Sequence, residues 1–220
     1  MNIEQARFNM IEQQIRPWDV LDAHVLQLLA VVKREDFVPL AHQALAFVDM
    51  EIPIGSMALG ECMLSPKVEA RMLQDLNVQK HEKVLEIGTG SGYMAALLAH
   101  RAQFVTTLEI NAGLAKTASD NLERADVYNA KVVVADGSKG DNSQGPFDVI
   151  VLSGSVAHIP TELLQQLKIG GRCMAIVGDE PIMCATLVKR ISETSFDTQQ
   201  GWDTLAPRLS GFAETPRFQF

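Results

Sequence analysis

The chain has 220 residues, 47% of them hydrophobic and 21% charged, enough for one α/β domain with a substantial core and a small appendage. No apolar run reaches the roughly 18 residues that a membrane-spanning helix needs, which argues against a membrane partner. The net charge of −8 comes without any Lys/Arg cluster, which argues against nucleic acid.

In chain order, Phe8, Ile11 and Ile15 recur at helical spacing, so residues 1–16 are expected to form a helix that Pro17 stops. Asp19 can cap a second helix with Leu21, Val25, Leu28, Leu29 and Val32 on its apolar side. Residues 40–64 have no clean period and carry Pro53, Gly55 and Gly60, so extended segments and loop are expected. Ser65-Pro66 opens a third helix, because Ser caps well and Pro suits the first helical position. From about residue 82 strands and helices alternate. Strands are expected at 83–87, 104–109, 131–135, 147–152 and 172–177, with helices at 93–100, 112–125 and 160–167, the last closed by Gly170-Gly171. A further strand fits 186–191, and residues 192–220 read as a tail that ends on the sheet edge at Arg217–Phe220. This alternation predicts a doubly wound α/β fold with a mostly parallel sheet. Residues 1–80 read as an N-terminal helical cap and 81–220 as the α/β core, together one compact domain.

Charged residues Glu4, Arg7, Glu12 and Arg16 interrupt the N-terminal apolar stretches, so no signal peptide is expected. Cys62, Cys173 and Cys184 form no CxxC pair and read as free thiols in a reducing compartment, with cytoplasm as the default. The five histidines are scattered, and no metal site is expected. Nothing in the sequence marks a subunit interface.

The first strand of the core runs directly into Glu86-Ile87-Gly88-Thr89-Gly90-Ser91-Gly92, and a helix follows. Glycines there let the chain turn tightly and let a ligand approach the main chain. A helix N-terminus leaves N–H groups free for an anionic group. A dinucleotide site wants G-x-G-x-x-G. Here the third glycine comes one residue early, and the E-x-G-x-G-x-G pattern is similar to that of S-adenosylmethionine-dependent methyltransferases. Two more acids fall at the same sheet edge. Glu109, followed by Ile110, ends the second core strand, where a carboxylate can take two ribose hydroxyls. Asp136-Gly137 follows the third and can contact the adenine amino group. Expected cofactor residues are therefore Glu86, Gly88, Thr89, Gly90, Ser91, Gly92, Glu109, Ile110, Asp136 and Gly137.

Several further segments resemble one family, the protein-L-isoaspartate O-methyltransferases. Val31–Pro39 resembles its V-P-R-x-x-F-V-P segment, Ile52–Gly55 its L-P-I-G, and Val84–Tyr93 its cofactor motif almost letter for letter. Met10–Arg16, Asp136-Gly137-Ser138, Pro146–Ile150 and Leu167–Arg172 also match. The resemblance implies a seven-stranded Rossmann-like sheet with N-terminal helices over the active site. It implies S-adenosylmethionine as cofactor, S-adenosylhomocysteine as product, and isoaspartyl peptides or damaged proteins as substrate. It implies that Ser65, matching the serine of the family's G-Q-T-I-S segment, faces the acceptor carboxylate as the catalytic residue.

The chain departs from that pattern on the acceptor side. Ser56–Leu64 replaces a shorter H-G-Q-T-I stretch, and Glu61 and Cys62 stand near the place of the Gln-Thr pair. A negative Glu61 there would repel an acceptor carboxylate. Ser153-Gly154-Ser155 replaces Thr-Ala-Ala, and the segment Trp202–Leu209 is unlike the family's ending. The sequence therefore leaves two other readings open: a methyltransferase with a different acceptor, and a cofactor-binding relative without catalysis.

Overall fold

In the computed structural model, which describes residues 2–214, Asn2 caps α1 (Ile3–Met10) by accepting from the Gln5 N–H. The helix runs on as a π turn over Ile11–Ile15 and a 3-10 turn over Arg16–Trp18. Asp19 does not cap the second helix. It takes φ 60°, which ends the preceding turn. Gln74 Oε1 accepts from Leu21 N at 2.7 Å and Asp22 N at 2.9 Å, fixing the approach to α2 (Ala23–Val31). Asp22 is then the cap, accepting from His24 N at 2.7 Å. Leu21 precedes the helix and is 66% exposed, not part of its buried side.

The aperiodic stretch contains a 3-10 turn (Leu40–Leu45), β1 (Ile52–Pro53), a 3-10 turn (Met57–Leu59) and β2 (Cys62–Met63). β1 and β2 pair antiparallel. α3 (Pro66–Leu76) follows as expected, with Val68, Met72, Leu73 and Leu76 buried.

The core then alternates β3 (Lys83–Ile87), α4 (Tyr93–Arg101), β4 (Phe104–Glu109), α5 (Ala112–Arg124), β5 (Ala130–Val134), β6 (Phe147–Val156) and α6 (Thr161–Leu164). It ends with β7 (Leu167–Asp179), β8 (Ile182–Arg190) and β9 (Phe196–Asp203). The sheet order is β5-β4-β3-β6-β7-β8-β9. The first five strands in that order run parallel, and β8 and β9 are antiparallel additions. This is the expected doubly wound, seven-stranded sheet.

Several boundaries differ from expectation. The helix expected over 160–167 is a single turn. Gly170-Gly171 lies inside β7 instead of closing that helix. A Cβ at Gly171 would lie 2.9 Å from the carbonyl oxygens of Asp148 and Lys168, beside a register irregularity between β6 and β7. A glycine is needed there for close backbone approach at a bulge. β8 starts at Ile182, and β9 occupies a segment read as tail. The strand end expected at Arg217–Phe220 lies outside the described residues.

Strand residues alternate between two hydrophobic clusters, as the period of two requires. Val84, Val149, Val151, Met174 and Ile176 join the cluster that contains α1 to α4. Leu85, Ile150, Leu152, Cys173 and Ala175 join the opposite one, with Leu163 and Phe212. The N-terminal helices therefore share a core with the sheet. No helix among the described residues is long and apolar enough to cross a membrane. Because β4 and β6 flank β3, the strand order reverses at β3, which places a ligand crevice at the carboxyl ends of these strands.

Candidate cofactor and acceptor site

The turn after β3 is held by main-chain hydrogen bonds, within itself and to β4. Gly88, Gly90 and Gly92 all have positive φ, 90°, 54° and 86°, a region that side chains strain to enter. Gly88 N donates to Leu108 O at 2.9 Å, and Gly92 N to Thr89 O at 2.8 Å. Gly92 then caps α4.

A cavity of about 380 Å³ opens over this turn, within the size range of small-molecule sites. Gly88, Gly90, Glu109, Ile110 and Gly137 line it, so the structure brings these expected residues together. Ile87, Leu108 and Leu114 add apolar walls suited to a flat ring. Both oxygens of Glu109 are fixed by main-chain donors: Gly90 N at 2.9 Å to Oε2, and Asn111 N at 3.0 Å to Oε1. A carboxylate so oriented keeps lone pairs for hydroxyl donors. Glycines without Cβ atoms, a fixed carboxylate and apolar walls fit an adenosyl group with a charged tail.

The other expected cofactor residues stand outside this lining. Thr89 and Ser91 are buried; the Thr89 hydroxyl pairs with that of Thr107 at 2.6 Å. Glu86 is fully buried beneath the turn. It accepts from Thr107 Oγ1 at 2.8 Å and Ser153 Oγ at 2.7 Å. Burial, opposed by these two hydroxyls, pushes its pKa up to about 8. Asp136 caps the 3-10 turn Gly137–Lys139 by accepting from Ser138 N at 2.9 Å. Tyr93 is buried in the first turn of α4, 5.4 Å from the ring of Phe37.

Ser65 is half-buried at the start of α3. It holds the N-cap position, but its hydroxyl makes no capping bond, so the helix does not consume it. The residue before it is anchored by a buried cation: Arg34 donates from Nη2 to Leu64 O at 2.7 Å and pairs through Nη1 with Glu69, one turn into α3. The same guanidinium sits 5.1 Å from the centre of the Tyr93 ring. Burial raises the Glu69 pKa to about 7 against the opposing charge of Arg34.

Two segments that the sequence did not assign to the cofactor also line the cavity. One is Ile54 with Leu59–Cys62; the other is Arg208–Ser210. The second pairs with the end of β6, through Ser155 N to Pro207 O at 2.7 Å and Leu209 N to Ser155 O at 2.9 Å. Arg208 is bound to Gly178 O and Asp179, at the end of β7. Its only sequence signal is an apolar Leu209 within a polar tail. Asn111 carries a stronger one, an Asn two residues past a strand end and directly before a helical run.

The model of one family, "Protein-L-isoaspartate(D-aspartate) O-methyltransferase (PCMT)", matches residues 5–207. A relative from Methanoculleus marisnigri, a protein-L-isoaspartate O-methyltransferase, is 40% identical over 187 residues, which cover 85% of this chain and 83% of the relative. Protein-L-isoaspartate O-methyltransferase 1 of Syntrophobacter fumaroxidans is 38% identical over 201 residues, 91% and 92% of the two chains. A solved protein-L-isoaspartate O-methyltransferase superposes with a TM-score of 0.78 at 24% identity, over 93% of this chain and 66% of that one. A Plasmodium falciparum protein assigned to the same enzymes, solved in complex with S-adenosyl-L-homocysteine, superposes with a TM-score of 0.73 at 16% identity, over 92% and 98%. These two superpositions speak to the fold.

Proposed function

We propose, from the premise that this chain belongs to the protein-L-isoaspartate(D-aspartate) O-methyltransferase family, that it transfers a methyl group from S-adenosylmethionine to the carboxylate of L-isoaspartyl residues in damaged proteins. The observation that carries this reading is the cavity at the ends of β3 and β4, where Gly88, Gly90 and the backbone-fixed Glu109 meet. When bound, S-adenosylmethionine supplies a methyl group on a sulfonium, open to in-line displacement.

Gly88 and Gly90 admit the cofactor to the main chain, and Glu109 takes its ribose hydroxyls. Ile110 and Gly137 border the base. Glu86 supports the turn from below. An acceptor carboxylate has a reference pKa near ~4 and is ionised at neutral pH, so no general base is needed. The protein has to align acceptor and methyl donor, and alignment of this kind supplies roughly 7–11 kcal/mol. Ser65, with its hydroxyl unused by α3, donates to one acceptor oxygen and leaves the other free to attack. Among the described residues, those before 81 cover the acceptor side and those from 81 on hold the cofactor, with Ile54 and Leu59–Cys62 closing over the same cavity. The three free cysteines fit a reducing, cytoplasmic setting.

The test is incubation of the purified protein with methyl-labelled S-adenosylmethionine and an isoaspartyl peptide beside its aspartyl isomer. Base-labile label on the isoaspartyl peptide alone is expected. Tight cofactor binding with no ester on either peptide would falsify the proposed acceptor.

A further inference from the structure

Glu61 stands where the family resemblance leads one to expect a neutral Gln-Thr pair, and a free carboxylate there would repel an acceptor. The structure gives that carboxylate other work. Glu61 Oε1 accepts from Asn111 Nδ2 at 2.6 Å, and Oε2 accepts from Ser56 N at 2.5 Å. The side chain lies against the backbone of Gly55, where a Cβ would meet Oε2 at 2.2 Å. Glu61 N also donates to Ser56 O, and Glu61 O accepts from Ile54 N and Gly55 N. The loop Gly55–Glu61 is thus closed on itself around this one carboxylate.

Asn111 comes from a different part of the chain, between β4 and α5, and lines the same cavity. Its main-chain N–H orients Glu109 at 3.0 Å, and its Oδ1 caps α5 through Gly113 N at 2.8 Å. Glu61, Glu109 and Asn111 all line the same cavity. The contact between Glu61 and Asn111 therefore spans the cleft from the acceptor-side loop to the residue that sets the ribose carboxylate. The loop meets the other cover as well: at Gly60, with φ 74°, a Cβ would lie 3.0 Å from Arg208 O.

We infer that Glu61 is a positioning residue that clasps the Gly55–Glu61 loop across the cofactor cleft through Asn111, and so sets how fast the cofactor leaves. The inference rests on the cofactor reading of the cavity. The Asn111 amide first, then the Ser56 N–H, hold the Glu61 carboxyl below the usual carboxylate range, so the clasp stays charged at neutral pH. A charge-assisted bond of this kind is stronger than a neutral one. The substitution of Glu for the neutral residues is then a gain of cofactor retention, with no charge directed at the acceptor.

The test is release of labelled S-adenosylmethionine, measured by a chase with unlabelled cofactor, in the full chain and three variants. Glu61→Ala is expected to release the cofactor about tenfold faster, the scale of one charge-assisted hydrogen bond. Asn111→Asp keeps an oxygen to cap α5 but sets two carboxylates face to face, and is expected to release it at least as fast. The double variant Glu61→Gln with Asn111→Asp exchanges donor and acceptor across the contact and is expected to restore slow release. A role confined to the loop's own fold would not respond to the exchange. Unchanged release in Glu61→Ala overturns the inference, as does failure of the exchange in a variant that melts like the parent chain. No binding to the parent chain sinks the cofactor reading, and this inference with it.

Discussion

Substitution of Glu86 by Gln gives a stability change whose sign and pH window follow from its surroundings. Glu86 is fully buried, and burial moves its pKa from 4.5 to about 8. It is therefore protonated in the folded chain at neutral pH and ionised in the unfolded one. The unfolded state binds fewer protons between these values, so stability falls as pH rises there. The favourable condition is fully present below pH 4.5 and is lost as pH climbs through 8. At about 1.4 kcal/mol per pH unit, this amounts to about 3 kcal/mol between pH 4.5 and pH 7. Gln is nearly isosteric and neutral. It can accept from one of the Thr107 and Ser153 hydroxyls and donate to the other. Glu86→Gln is therefore expected to be the more stable form at pH 7 to 8 and to lose its advantage near pH 4.5. Urea unfolding of both forms at half-unit steps from pH 4.5 to 8.5 measures this. A difference that stays flat across the window, or that grows toward acid, refutes the reasoning.

Gly90→Val is expected to abolish cofactor binding by calorimetry: φ 54° is closed to a branched residue, and a Cβ would come within 3.2 Å of Ile54 Cδ1. Unchanged affinity would remove the basis for the site. Ser65→Ala is expected to lower kcat by about 10- to 100-fold, the worth of a hydrogen bond to a charged acceptor, with cofactor affinity and melting temperature unchanged. A loss of about 1 kcal/mol of stability would instead mark the hydroxyl as a helix cap. Arg34→Met leaves Glu69 buried without its partner and is expected to cost about 3–5 kcal/mol in urea unfolding. Adding Glu69→Met should recover most of that loss, and no recovery would mean that the loss does not come from the unpaired Glu69 carboxylate.

The parts of the fold that the sequence predicts correctly are those where one short-range signal decides. β3, β4 and β6 are largely buried runs rich in aliphatic and β-branched residues, and α3 has a serine at its N-cap position, its proline and its apolar stripe within twelve residues. Errors arise where the deciding contact is distant in sequence. Asp19 and Asp22 are equally good caps locally, and Gln74, more than fifty residues away, selects between them. Gly170-Gly171 resembles a helix stop, and only the approach of the β6 backbone shows that it serves a bulge. β9 is an edge strand with most of its side chains exposed. It carries no apolar alternation, and that polarity guards an edge against further pairing.

The candidate site divides in the same way. Its floor is a contiguous motif, because a tight turn needs its glycines in a row, and it was legible for that reason. Its cover is assembled from residues about 150 positions apart, Leu59–Cys62 and Arg208–Ser210, which meet at Gly60. Neither segment has a pattern of its own. The charge at Glu61 shows how such a cover misleads a reader of the sequence. Without knowledge of what lies opposite, its effect on an acceptor carboxylate can only be repulsion. With Asn111 opposite, both of its oxygens are hydrogen-bonded, and the same charge strengthens a bond across the cleft. The departure from the family pattern that argued most strongly against an acceptor carboxylate is thus compatible with one. What distinguishes this chain then falls on the cover, in the contact by which Glu61 joins it to Asn111.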